Sequence, residues 1–206
     1  MPFVMGIVPV GFKQAQLALA GIQNGYPKAV TEAINRSLLA GRTAAAKNVS
    51  ARYAIKSSVL KESGLEVNKA TWKHLEGDLS VRSGMLNVGQ FTPQVRMEKG
   101  KQHVSVTIIR GEKRLVKGAF RLPDGRVMER RQPTRLPIYP VMTIGVSQMA
   151  GEHGVSTAIQ QAMNQTLATR LKHNVDFALG KLEDQSKSVR LKARQKLREK
   201  EVGTSQ

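Results

Sequence analysis

The chain has 206 residues, room for one hydrophobic core plus an extended appendage, since single cores stop growing near about 250 to 300 residues. With 40% hydrophobic but only 4% aromatic residues and no cysteine, the core must be built from Val, Leu, Ile, Ala and Met; disulfides and thiolate metal sites are excluded. Lys and Arg number 33 against 15 Asp and Glu, a formal charge of +18 that exceeds the needs of solubility and implies a polyanionic neighbour, with DNA and acidic protein equally able to answer it.

In chain order, residues 1–24 read as a strand or arm followed by a short helix. Met1–Val10 is apolar, but Pro2, Gly6 and Pro9 break it and no basic flank precedes it, so it is neither a signal peptide nor a membrane span. No membrane partner is expected, and assembly in a cytoplasm fits. Phe3 to Val10 should be extended and Phe12 to Ile22 a short helix, with Asn24, Gly25 and Pro27 as punctuation and Pro27 suited to a first helical position.

From Pro27 to about Tyr53, Val30, Ala33, Ile34, Leu38, Gly41, Ala45 and Val49 recur at three and four residues, the stripe of a long amphipathic helix. Its many small residues allow a partner helix to come close. No acid lies between Glu32 and Glu62, so its polar faces are of one sign.

After a helical turn near Val59, the period changes to alternation. Leu65–Val67, Leu79–Val81, Leu86–Val88 and Val104–Ile109 read as strands. The clearest hairpin is Ala119–Leu122, a Pro123-Asp124-Gly125 turn and Arg126–Glu129, because Pro presets φ, Asp favours the corner and Gly tolerates the left-handed residue. Met97–Gln102 and Arg110–Arg114 read as polar turns, and Arg130–Tyr139, with Pro133 and Pro137, as an extended loop.

A second long helix is expected from Gly154 to Leu179, with Val155, Ile159, Ala162, Met163, Leu167, Leu171 and Val175 at helical spacing, packed antiparallel or crossed on the first. Residues 181–206 are dominated by Lys, Arg, Glu and Gln and read as a basic arm, helical or disordered. On a helix, Arg190, Arg194 and Arg198 form one row and Lys192, Lys196 and Lys200 another. Such rows are candidates for facing phosphate, but a solvated charged helix is the favoured reading, since no aromatic residue stands among them to stack on bases.

No catalytic constellation emerges, so no enzyme activity, cofactor or metal is expected. His74, His103, His153 and His173 are scattered without ligand spacing. Glu76 and Asp78, two apart on an expected strand, would share a face as paired carboxylates do, but no nucleophile or base orienter accompanies them. The glycines form no phosphate-cradling motif, and Gly145–Met149 is only superficially like a nucleophile elbow.

Lys117-Gly118-Ala119-Phe120, Gly125 to Arg130, Leu136 to Val141, the helix from Gly154 and the segment Ala29 to Arg36 together resemble the minor tail protein Z family of lambda-like phages and prophages. The resemblance covers about residues 25 to 180, which would be the tail-completion-like domain, and leaves both ends outside. It implies a non-enzymatic virion protein of the tail or neck that completes the head-proximal end of the tail. The implied partners are other copies in a ring, with a hexamer favoured, the tail terminator or connector, other tail proteins and, non-specifically, genomic DNA. The expected fold class is α+β: two long helices on a small antiparallel sheet with hairpins, plus N- and C-terminal arms. Phe120, Asp124, Arg126 and Tyr139 are the candidate inter-subunit residues, on the premise that rings bury heterologous patches. A non-specific DNA-binding or packaging accessory protein is the alternative.

Overall fold

A computed structural model of the chain describes residues 2–62, 64–99 and 101–203, without the side chains of residues 57, 61, 62 and 189–203. The fold is α+β, as expected. Its helices are α1 (Phe12–Ala18), α2 (Gly25–Arg52), α3 (Ser57–Glu62), α4 (Val146–Gly151) and α5 (His153–Gly203).

Two helices, α2 and α5, run antiparallel and carry the core. Three contacts along their length fix the direction: Arg52 with Glu152 at 3.1 Å, the Ser37 hydroxyl donating to the Met163 carbonyl at 2.6 Å, and the Asn174 amide donating to the Ala29 carbonyl at 2.9 Å. Between them Val30, Ala33, Ile34, Leu38, Ala45 and Val49 meet Val155, Ile159, Met163, Leu167 and Leu171, all buried. The approach is closest at Gly41, where a Cβ would lie 2.6 Å from Met163 Cγ. The sequence places the end of the second helix near Leu179, but its backbone stays helical to Gly203. Gly180 stands in open space and costs a helix only about 1 kcal/mol relative to Ala, and no proline follows it, so nothing halts propagation. Every residue from Lys181 to Ser188 is exposed, because α2 begins only at Gly25 and flanks no more than the start of that stretch, at Lys181, Leu182 and Gln185.

Strands β1 (Phe3–Gly6), β2 (Leu65–Asn68) and β3 (Asp78–Val81) form an antiparallel sheet in the order β1-β3-β2. The N-terminal segment is thus an edge strand, Phe3 opposite Val81. Leu79 and Val81 are fully buried, and Leu79 reaches the same Gly41 gap. Gly77 admits no side chain, since a Cβ there would lie 2.8 Å from both the Asn68 carbonyl and Leu38.

The remaining strands do not join this sheet. Instead of one small sheet there are four among the described residues: β4 (Leu86–Asn87) with β11 (Met142–Thr143), β5 (Gln94–Glu98) with β6 (Lys101–Thr107) and β7 (Lys113–Val116), and β8 (Ala119–Arg121) with β9 (Val127–Glu129) and β10 (Tyr139–Pro140). Residues 110–112 form a turn, as expected, but Met97, Glu98, Lys101, Gln102, Lys113 and Arg114 are strand, because backbone pairing with β6 orders β5 and β7 even though every residue of β5 is exposed. A side chain welds two of these sheets: Asn87 donates to the Val127 carbonyl at 3.0 Å while its oxygen accepts from the Val127 and Gly89 amides at 2.9 Å. This β lobe is tied to the C-terminal end of α2, where the Ala54 amide donates to the Ile108 carbonyl and Arg110 donates to the carbonyls of Arg52 and Ser50, each at 2.9 Å. The hairpin is as expected: Phe120 pairs with Met128, the Leu122 amide donates to the Arg126 carbonyl at 2.9 Å, and Gly125 takes φ +88°.

Two substitutions bracket the role of helix packing. Gly41→Val should overpack the gap filled by Met163 and destabilise by about 1 to 3 kcal/mol, whereas Gly180→Ala should stabilise by up to about 1 kcal/mol. Urea unfolding monitored by circular dichroism measures both, and equal midpoints would contradict the packing described.

Candidate assembly and polyanion interface

Charge is concentrated on the β lobe. Residues 94–135 contain twelve Lys and Arg against four Asp and Glu. Three of those acids are engaged by an arginine two residues further on: Glu112 with Arg114 at 2.9 Å, Asp124 with Arg126 at 2.6 Å and Glu129 with Arg131 at 2.9 Å. The spacing is shared although the backbones differ: Asp124 and Arg126 are joined through the left-handed Gly125 of the hairpin turn. Exposed pairs of this kind contribute little to stability, because water and salt screen them. Their consequence is electrostatic: the acids are cancelled locally and cannot neutralise the cations around them. Arg96, Lys99, Lys101, Arg110, Lys113, Lys117, Arg121, Arg130 and Arg135 are exposed and have no carboxylate partner among the described residues.

Phe120, Asp124, Arg126 and Tyr139 all fall in the β8-β9-β10 sheet, but not in one patch. Phe120 lies opposite Met128 and Tyr139 opposite Glu129, so the two rings occupy opposite faces. Each is covered by an arginine: the Arg130 guanidinium sits 4.4 Å from the Phe120 centroid and that of Arg131 sits 4.6 Å from Tyr139. Exposed cation–π contacts are worth about 0.5 to 1 kcal/mol, enough to hold an arginine flat without desolvating it. Asp124 and Arg126 stand at the hairpin tip. The Asp124 carboxylate accepts from the Arg126 main-chain N–H at 2.9 Å and from its guanidinium, and these bonds, the main-chain one first, hold its pKa below the usual carboxylate value.

The basic rows Arg190, Arg194, Arg198 and Lys192, Lys196, Lys200 lie on the helical backbone of α5, but their side chains fall outside the described residues. The sequence did not single out the lobe cations, although the thrice-repeated acid-x-Arg spacing is a signal that could have found them.

Glu76 is not on a strand; β3 begins at Asp78, just after the backbone is pressed against α2 at Gly77. Asp78 accepts from the Asn68 amide at 2.9 Å. Both acids line an open cleft with Lys69, Lys73 and His74. Ser147, in the stretch superficially like a nucleophile elbow, is buried and donates to the Ser83 carbonyl at 3.0 Å, securing the start of α4. Among the described residues no three of His, Cys, Asp and Glu are grouped as metal ligands would be, and no helix is long and apolar enough to cross a membrane.

Fold and surface together define a basic α+β chain in which a helix pair carries a lobe of small sheets. It belongs to the prophage minor tail protein Z family, whose model matches residues 10–185, and so has a structural role in the phage tail. The match extends beyond the recognised segments at both ends, taking in α1 and the first exposed turn of α5 past α2. No curated protein and no solved structure matches the chain.

The lowered Asp124 pKa has a defined sign: its contribution to stability is present above the ordinary Asp value and is lost as pH falls through the lower folded value. Carboxyl-detected NMR titration should place its midpoint below that of an unperturbed Asp. In Arg126→Gln it should rise only part of the way, because the main-chain N–H still donates.

Proposed function

We propose that this chain is a non-enzymatic ring subunit that completes the head-proximal end of the tail, with its β lobe turned toward the DNA channel. The observation that carries the reading is the cation set of the lobe, exposed and without carboxylate partners, within a chain of a phage tail family. Phosphate contacts that only position a duplex need positive side chains and no base-reading geometry. The small sheets supply this on a rigid support, since the lobe is bonded to the end of α2.

In this reading the ring is homo-oligomeric, with six copies favoured, joins the terminator or connector and other tail proteins, and resides in the tail or neck of the virion. The hairpin tip and the first long helix meet different surfaces of neighbouring copies. The same cations support the second reading, a DNA-binding accessory protein without a fixed place in the particle.

Two measurements separate the readings. Native mass spectrometry and electron microscopy should show a closed ring that restores infectivity to tails lacking the protein; a strict monomer without effect on such tails would sink the first reading. Duplex-DNA affinity should fall with log salt at a slope of about −0.9 for each phosphate neutralised. The triple variant Arg121→Gln, Arg130→Gln, Arg135→Gln should flatten that slope by up to about three contacts' worth, and a slope unchanged by it would remove the lobe as the DNA-facing surface.

A further inference from the structure

Trp72 is the chain's single tryptophan, yet 62% of it is exposed. Its loop is not slack. The Asn35 side chain brackets the preceding Ala70, donating to its carbonyl at 3.2 Å and accepting from its amide at 2.9 Å. The amides of Thr71 and His74 each donate to the other's carbonyl, at 2.8 and 3.1 Å, closing a tight turn around the indole. A large apolar side chain left bare on a backbone fixed in this way has part of its ordering cost met before a partner arrives, which is the character of a binding hot spot.

Trp72 separates two hollows. One, about 350 Å³, is flanked by Phe177, itself 58% exposed, and by Leu182; the other, about 330 Å³, by Leu39. Four cations rim them, Lys28, Arg36, Lys69 and Lys181, against one acid, Glu32. Lys181 is fixed beside the apolar wall, its ammonium 4.6 Å from the Phe177 centroid. This groove lies at the α2 N-terminal end, opposite the β lobe.

We propose that the groove astride Trp72 docks an acidic amphipathic helical segment of a partner protein, apolar side chains entering the two hollows and carboxylates meeting the rim. Helix-in-groove recognition needs apolar anchors at successive turns, and hollows on either side of one indole provide them. Charge excludes the chain's own candidates: its exposed apolar N-terminal stretch, Val8, Val10 and Leu17, lies in a segment with Lys13 and no acid. Nucleic acid is disfavoured because Glu32 lines both hollows, where a phosphate backbone would meet it. The proposal is independent of the ring reading.

The test uses the full-length chain and a displayed library of random peptides, selected on the wild type and counter-selected on Trp72→Ala. Because Trp72 is the sole tryptophan, its emission reports this groove alone. Selected peptides should carry net negative charge with apolar residues at helical spacing, shift Trp72 emission to the blue and protect it from acrylamide. Phe177→Ser or Lys181→Glu, both at exposed positions, should weaken binding by about tenfold or more while leaving the circular dichroism unchanged. Four outcomes overturn the proposal: no enriched peptides, enriched peptides that are neutral or basic, emission that shifts with the protein's own concentration, or equal protection by an oligonucleotide.

Discussion

The close packing of α2 on α5 is the constraint on which the other features depend. At Gly41 the absence of a side chain lets Met163 and Leu79 fill one gap, so a helix, its partner and the central sheet meet at a single point. Ser37 adds a buried hydrogen bond to the Met163 carbonyl across the same interface. A side chain on residue 41 would separate the helices and break that bond, leaving a buried hydroxyl unsatisfied at a cost of about 1 to 3 kcal/mol. The pair also acts as a ruler. From Ala29 to Arg52 the axis advances ~35 Å at 1.5 Å per residue, which sets the β lobe at one end and the Trp72 groove at the other.

That separation matters because electrostatics is short-ranged in salt. With a Debye length of about 8 Å under physiological conditions, exposed cations on the lobe and at the groove do not feel one another. The formal +18 therefore acts as at least two separate local fields. On the lobe the field survives because the nearest acids are already paired with Arg114, Arg126 and Arg131. At the groove it is moderated by Glu32 and accompanied by bare apolar surface, a combination suited to protein and unsuited to phosphate.

The helices were legible in the sequence because their apolar residues recur at three and four over several turns; α2 came out at Gly25–Arg52 against an expected Pro27 to Tyr53. The hairpin was legible because Pro123, Asp124 and Gly125 each constrain the backbone through a separate mechanism. Strands β5 and β7 were missed for the converse reason: Lys113, Arg114 and the exposed β5 bury almost nothing, and they are strands through pairing with β6 alone. The link between the β4-β11 pair and β9 runs through the Asn87 side chain, which bonds both the amide and the carbonyl of Val127, a device without period or motif. Of the four expected interface residues, proximity in one sheet followed from the hairpin. The split of Phe120 and Tyr139 onto opposite faces required the register of β10, which two residues of strand do not announce.

The distribution of charge also bears on how copies can meet. An isologous contact through the β lobe would set its cations against the same cations on the second copy, with three of the lobe's four acids already committed to neighbouring arginines. Like charges brought together and desolvated oppose association, so a lobe-to-lobe dimer is disfavoured unless a polyanion lies between. A heterologous contact has no such conflict, because it joins the lobe of one copy to a different surface of the next, and repetition of one such contact closes a ring when the rotation permits. In a ring the lobes would stand side by side around one axis, where their repulsion is relieved by whatever anion occupies that axis. The cations that oppose pairing in isolation then favour closure around DNA, so that a polyanion at the centre adds stability to the proposed ring beyond its protein contacts.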